Sequence, residues 1–172
     1  IVGTFMLLHA ISQRQASRSA DPVQKRLSLA TMVAFSIGLH NLGEGLAIGA
    51  SFAVGAAALG TFLVIGFIIQ NITEGLAIVT PVVNDRPSLA RLGFMGVVGG
   101  APAIAGAWLG GLTYSLPLGV LFLSVGAGAV FVVVYQLFKT TQTDAKYAMP
   151  LTTFAGVTVG MLMLWVTGLF IK

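Results

Sequence analysis

The sequence predicts an all-α integral membrane protein, and three observations lead to that fold class. Hydrophobic residues make up 56% of the 172-residue chain and charged residues only 8%, unlike a soluble domain. The apolar runs are long enough for helices, because about 20 residues cross a hydrocarbon core of roughly 30 Å. These runs are continuous, without the alternating polarity that strands of a membrane barrel need. The chain therefore predicts a polytopic helix bundle.

Six apolar segments separated by polar or glycine-containing turns define the predicted helices. They cover approximately residues 1–12, 28–53, 56–82, 89–111, 117–138 and 149–171. The first is too short to span a bilayer and the chain begins with Ile, so we expect Ile1 to lie inside a helix whose start is missing. The polar stretch 14–27 is expected to be a flexible loop.

Basic residues fall on alternate loops of this arrangement. The second and fourth loops, near residues 53–57 and 111–117, have no charge, and the first, third and fifth contain Arg14, Arg18, Lys25, Arg26, Arg86, Arg91, Lys139 and Lys146. Because basic residues concentrate in cytoplasmic loops, these three are predicted to be cytoplasmic, with the C-terminal Lys172 outside. The net charge of +4 follows from this bias, and no basic face or stacking platform indicates nucleic-acid binding.

Both glutamates of the chain lie deep inside apolar segments, in near-copies of one motif. The motif reads HNLGEGLAI at residues 40–48 and QNITEGLAI at residues 70–78. A carboxylate at the bilayer centre costs roughly 2.5–3.5 kcal/mol on insertion scales, so two of them indicate an ion site or a polar pathway. One short uncharged loop joins the two helices. They are therefore expected to be antiparallel neighbours with their motifs at similar depth, as in inverted repeats.

Side chains one helical turn apart in the two motifs are expected to converge on a metal ion. Residues i and i+4 share a helix face, which places His40 beside Glu44 and Gln70 beside Glu74. If the faces oppose each other, an imidazole, two carboxylates and an amide oxygen meet. This set suits Zn²⁺, Fe²⁺, Mn²⁺ or Co²⁺, with Cd²⁺ as a competitor. The chain has no cysteine, which excludes thiolate ligands and disulfides.

Two asparagines and three glycines in the motifs each have two interpretations. Asn41 and Asn71, three residues before each glutamate, either add a second polar row to the site or bond the helices together. Gly43, Gly45 and Gly75 either loosen the helical hydrogen bonds and free carbonyl oxygens toward a cavity, or only permit close helix packing.

On these two motifs the chain resembles the Zrt/Irt-like protein (ZIP) family of divalent metal transporters, and its Gln70 version is similar to the GufA-like branch. The family carries His-Asn-x-x-Glu-Gly and His/Gln-Asn/Asp-x-x-Glu-Gly in its fourth and fifth transmembrane helices. The resemblance implies eight transmembrane helices, the first two absent from this chain. Residues 1–13 would then be the end of helix three, 14–27 a cytoplasmic loop, 28–111 the metal-carrying helices four to six, and 112–172 the scaffold helices seven and eight.

The resemblance also implies a ligand set. Four residues would form the primary site: His40, Glu44, Gln70 and Glu74. Two asparagines, Asn41 and Asn71, would lie on the edge that this site shares with a second one. Relatives with a binuclear centre carry a further Glu before a proline of helix six. The matching stretch here is Gly100-Ala101-Pro102, so one strong site is expected rather than two. Gly43 and Thr73 stand where the family usually has proline.

The implied function is transport of divalent transition metals toward the cytoplasm, Zn²⁺ foremost and also Cd²⁺, Fe²⁺ and Mn²⁺. The resemblance further implies a homodimer in a bacterial inner membrane that works by an elevator-like motion. Its partners would be divalent ions and the lipid bilayer, and it would have no prosthetic group. Two alternatives stay open, an intramembrane zinc hydrolase and a non-transporting metal sensor. The chain has neither an H-E-x-x-H motif nor a G-x-x-x-x-G-K-[ST] phosphate loop, which favours a protein that is not an enzyme.

Overall fold

The fold was described from a computed structural model, which covers residues 1–18, 21–113, 115–144 and 151–169. The helices are α1 (Val2–Arg18), α2 (Pro22–Ala53), α3 (Ala57–Val79), a 3₁₀ helix (Thr80–Asp85), α4 (Leu89–Leu112), α5 (Leu116–Asp144) and α6 (Leu151–Gly168). These ranges contain no strand, so the predicted all-α class is confirmed. Lys146 and Lys172, which entered the loop-charge argument, lie outside them.

Three helical stretches of the described residues are long and apolar enough to cross a membrane. They are Ala57–Asp85, Leu89–Leu112 and Leu116–Lys139, and Leu151–Met163 is a shorter apolar helix. The helix α2 has 32 residues but is not among the three, because His40, Asn41 and Glu44 interrupt its apolar run. The chain is thus compatible with a multi-pass membrane protein.

The polar stretch 14–27 is helical over most of its length, and the expectation of a flexible loop there is wrong for its described residues. The helix α1 continues to Arg18, and α2 begins at Pro22. Pro22 occupies a first-turn position where its missing N–H is not needed. The Asp21 carboxylate accepts a hydrogen bond from the Val23 backbone nitrogen at 3.0 Å. These capping interactions start α2 several residues before its apolar run.

The helices α2 and α3 are joined by a three-residue turn that reverses the chain. Gly55 has a φ of +79°, a left-handed conformation that glycine adopts without a steric cost. The backbone N–H of Ala56 donates to the Ser51 carbonyl at 2.9 Å, and that of Gly55 donates to Phe52 at 3.1 Å. This pair of hydrogen bonds is a Schellman motif, which ends a helix. The helices α2 and α3 therefore run antiparallel.

Glycines bring α2 and α4 into backbone contact. A methyl group on Gly45 or Gly49 of α2, or on Gly106 or Gly110 of α4, would collide with a backbone carbonyl oxygen of the opposite helix. Small residues at four-residue spacing permit this approach. At Gly45 the close-packing interpretation is therefore correct, and α2 is an uninterrupted α-helix through this position. A methyl group on Gly75, the counterpart of Gly45 in α3, would meet no atom within 4 Å.

An ion pair links the start of α2 to the turn before α4. Arg26 Nε and Nη2 donate to Asp85 Oδ2 and Oδ1 at 2.7 and 2.6 Å, a bidentate geometry. The Asp85 carboxylate, which accepts these hydrogen bonds, raises the pKa of the Arg26 guanidinium above its ordinary value. Arg86 follows in a left-handed conformation, and the Ser88 hydroxyl caps α4. The pair therefore holds this end of α2 close to the segment that follows α3.

The chain forms two compact units, residues 1–134 and residues 135–172. The first unit contains the paired motifs, and a small core in it joins α1, α2 and the first part of α5 through Leu8, Met32, Ala129 and Val132. The second unit contains the end of α5 and the apolar helix α6. The predicted division of roles between residues 28–111 and 112–172 stays a prediction.

Candidate metal centre

The side chains of the two motifs meet on the facing sides of α2 and α3. Because these helices are antiparallel, His40 lies opposite Glu74 and Glu44 lies opposite Gln70. His40 Nε2 is 3.1 Å from Glu44 Oε1 and 3.7 Å from Glu74 Oε1. One imidazole nitrogen and one oxygen of each carboxylate all lie within 4.8 Å of one another. The structure thus brings together the imidazole and both carboxylates of the predicted ligand set.

Two of the three separations among these atoms are close to those of ligands around a small divalent cation. Zinc bonds of about 2.0–2.2 Å to imidazole and carboxylate place adjacent ligands roughly 3.0–3.5 Å apart in octahedral or tetrahedral geometry. The observed separations from His40 Nε2, 3.1 and 3.7 Å, lie at or near this range. Two carboxylates also offset a charge of 2+, which lowers the cost of burying all three ions. The group could therefore hold a metal ion.

Gln70 contacts these three atoms through its amide nitrogen. Gln70 Nε2 donates to Glu44 Oε1 at 2.8 Å and to Glu74 Oε1 at 3.1 Å, and lies 3.1 Å from His40 Nε2. The paired motifs predict the amide oxygen of Gln70 as a ligand. The structure instead places the amide nitrogen beside the other three candidate ligand atoms, where its two protons bridge the two carboxylates.

The two asparagines form a second polar contact that extends to α4. Asn41 Nδ2 donates to Asn71 Oδ1 at 2.8 Å and to the Gly99 carbonyl at 3.0 Å. An amide NH₂ has two protons, so both are used. Asn41 therefore bonds the helices together, as one of its two interpretations expects. The contribution of Gly99 is not predicted from the sequence, because a main-chain carbonyl has no residue-type signal.

Several oxygen atoms at the site have no hydrogen-bond donor among the described residues. Asn41 Oδ1, Glu44 Oε2 and Glu74 Oε2 are buried without a partner. A buried acceptor that lacks a partner costs about 1–3 kcal/mol, and more when it is charged. A bound cation is one way to satisfy such atoms. Two of these oxygens belong to the candidate ligands Glu44 and Glu74, which is a second indication of a cation site.

Ser36 is a polar residue of α2 that the sequence analysis does not include. It lies one helical turn before His40, is fully buried, and its hydroxyl has no hydrogen-bond partner in the described part of the chain. A serine in an apolar segment is a weak signal in a sequence, because its hydroxyl commonly bonds a carbonyl of its own helix.

The helix α4 adds no acidic ligand to the site. Within the described residues, the metal-ligating side chains of His, Cys, Asp and Glu form only one group, composed of His40, Glu44 and Glu74. Gly100 and Ala101 precede Pro102, where a binuclear site of the resembled family would have a glutamate. The expectation of a single strong site stays a prediction.

The site lies between α2, which has many buried residues, and α3, which has few. The Glu44 side chain is 7% exposed, whereas those of Glu74 and His40 are 14% and 21% exposed. In α3, only Gly60 and Ile78 are buried. One edge of the donor group is therefore accessible from the surface of the first unit.

Fold and site define a class: an all-α chain with helices that could cross a membrane and a His/Glu group that could hold a metal ion. Comparison with known proteins does not narrow this class, because no family model, no curated protein and no solved structure matches the chain.

Proposed function

We propose that the protein transports divalent transition-metal cations across a membrane toward the cytoplasm, with Zn²⁺ foremost and Cd²⁺, Fe²⁺ and Mn²⁺ as further substrates. The observation that carries this proposal is the convergence of His40, Glu44 and Glu74 between the antiparallel helices α2 and α3. The resemblance of both motifs to ZIP transporters supports the direction, the bacterial inner membrane and the homodimer.

The energetic cost of the site favours transport over a purely structural role. Two carboxylates inside apolar helices lower the stability of the protein unless they interact with a cation or another polar group. A repeated motif on antiparallel helices also places ligands at one depth, which is how many transporters form a site reached alternately from both sides. The partial exposure of Glu74 and His40 supports access for a cation.

Packing around the site supports movement of α2 and α4 as one body. Their glycine-mediated backbone contact and the hydrogen bond from Asn41 to the Gly99 carbonyl tie the two helices together. In an elevator-like motion these helices would move with α3 and carry the cation between the two sides of the membrane. A cation binds only when the imidazole is neutral and the carboxylates are ionised, so protons compete with it.

Uptake into proteoliposomes that hold the full-length protein tests the proposal. We expect saturable uptake of Zn²⁺ and Cd²⁺ by the wild type. Glu44→Ala and Glu74→Ala should each lose this uptake while their helical content stays unchanged. Asp21→Asn is the matched control, because it removes a carboxylate outside the site and keeps a residue that can cap α2. Metal binding that needs both glutamates, with no uptake by the wild type, would refute transport and favour the sensor or hydrolase.

A further inference from the structure

The Gln70 amide nitrogen lies where it blocks a cation held by the same three ligand atoms. Its distances to Glu44 Oε1, Glu74 Oε1 and His40 Nε2 are 2.8, 3.1 and 3.1 Å. These three atoms are the candidate ligands.

The distances determine how close the cation and the amide would be. A cation held by all three ligand atoms would lie among them, and Gln70 Nε2, about 3 Å from each of them, would then be on the order of 2 Å from it. That distance suits a ligand atom, but the nitrogen of an amide NH₂ is a donor with two protons and not an acceptor. Its protons point toward the carboxylate oxygens, and therefore toward the cation. The cation and the amide in this orientation exclude each other.

The carboxylates determine the orientation of the amide. With the amide reversed, Gln70 Oε1 would lie about 3 Å from two carboxylate oxygens with no proton between them, which is unfavourable. With nitrogen inward, the amide instead makes two hydrogen bonds to charged acceptors, which are stronger than neutral ones. A cation between the carboxylates inverts this preference, because it repels the N–H groups and attracts the oxygen.

We propose that Gln70 is a two-state residue of the cation site: its NH₂ group bridges Glu44 and Glu74 when no cation is bound, and the amide turns over to present Oε1 as the fourth ligand when one binds. This inference rests on the proposed function. Rotation by about 180° about the last side-chain torsion exchanges the two amide atoms, and this torsion is a soft one. The helix backbone therefore need not move.

The turnover makes Gln70 a specificity-determining residue. A cation must break two charge-assisted hydrogen bonds before it acquires the amide oxygen. A divalent ion recovers that loss through two carboxylates, whereas Na⁺ or K⁺ has half the charge and gains correspondingly less. The amide should therefore discriminate against the monovalent ions that are abundant around any membrane.

Side-chain NMR of the full chain in lipid nanodiscs tests the turnover. The protein is labelled with ¹⁵N at glutamine and histidine, and spectra are recorded in EDTA and with Zn²⁺ or Cd²⁺. The Gln70 NH₂ signal is assigned by its loss in Gln70→Glu, or in Gln70→Asn if the first variant does not fold. The exposed Gln24 and the other histidine, His9, are internal controls.

In EDTA, both Gln70 amide protons should be shifted downfield and protected from exchange. Saturating Zn²⁺ should abolish that protection and move the Gln70 ¹⁵N signal together with that of His40, and 100 mM Na⁺ or K⁺ should do neither. A His40 signal that shifts while the Gln70 protons stay protected would overturn the turnover alone, as would unprotected Gln70 protons in EDTA. No response of His40 to either metal would overturn the proposed function together with the inference.

Discussion

Replacing Gly45 by alanine should disturb the contact between α2 and α4, whereas the same replacement at Gly75 should not. The two glycines occupy the same position in the repeated motif, each directly after a glutamate. A Cβ atom on Gly45 would collide with the carbonyl oxygen of Ala103 and lie 2.9 Å from the backbone nitrogen of Ala107. A Cβ atom on Gly75 would meet nothing within 4 Å. The pair separates the effect of packing from that of the motif.

The size of the difference follows from two opposing contributions. Alanine in place of glycine stabilises a helix by roughly 0.5–1 kcal/mol, a gain that both variants share. Overpacking typically costs about 1–3 kcal/mol. The clash at Gly45 involves backbone atoms that cannot rotate away, so its cost should lie at the upper end of that range. We therefore expect Gly45→Ala to be about 2–3 kcal/mol less stable than Gly75→Ala.

Thermal unfolding in one detergent, followed by circular dichroism, measures this difference. Gly75→Ala should melt at or slightly above the wild-type temperature. Gly45→Ala should melt about 4–12 °C below Gly75→Ala, if roughly 2–4 °C corresponds to 1 kcal/mol for a chain of this size. Equal melting temperatures for the two variants would refute the backbone contact between α2 and α4.

Three further predictions concern the site and the ion pair. Glu44→Gln or Glu74→Gln should weaken Cd²⁺ binding in calorimetry at least tenfold, or about 1.4 kcal/mol, because each removes a charged ligand. Asn41→Asp should lower the melting temperature more than Asn41→Ala does, because its carboxylate would face the Asn71 and Gly99 oxygens without a proton to donate. Reversing the ion pair should restore stability, with Arg26→Asp and Asp85→Arg each melting below the double variant in detergent at low salt.

Unchanged Cd²⁺ affinity in either glutamine variant, with Asp21→Asn as the control, would remove that glutamate from the ligand set. Asn41→Asp as stable as Asn41→Ala would show that the amide protons are not needed there. For the ion pair, a double variant no more stable than its single variants would contradict the contact, and 1 M salt should reduce the differences.

The group of His40, Glu44 and Glu74 illustrates what helical periodicity can predict. His40 and Glu44 had to share a face because they are one turn apart, and the short turn before α3 had to bring Glu74 to the same depth. The role of the Gln70 amide was not predictable in this way. Which of its two ends points inward depends on the distances to both carboxylates, and a sequence does not contain those distances.

The beginning of α2 shows the limit of an argument from hydropathy. The stretch 14–27 is polar, and polarity alone indicates a loop, but Asp21 and Pro22 form a helix start within it. Asp21 and Pro22 are local capping signals, and the mean hydropathy of the stretch does not contain them. The hydrogen bond from Asn41 to the Gly99 carbonyl had no such signal, because it joins residues 58 positions apart in the chain.

The sequence by itself determined the helical class, the two helices that carry the motif and the identity of the residues that could hold a metal ion. These follow from composition and from spacing along one helix, which are local properties. Only the tertiary structure decided that Gly45 is a packing residue, that Asn41 bonds to α4, and that Gln70 faces the carboxylates with its nitrogen. Each of these depends on which atoms of another helix lie within about 3 Å, and that is decided when the helices pack.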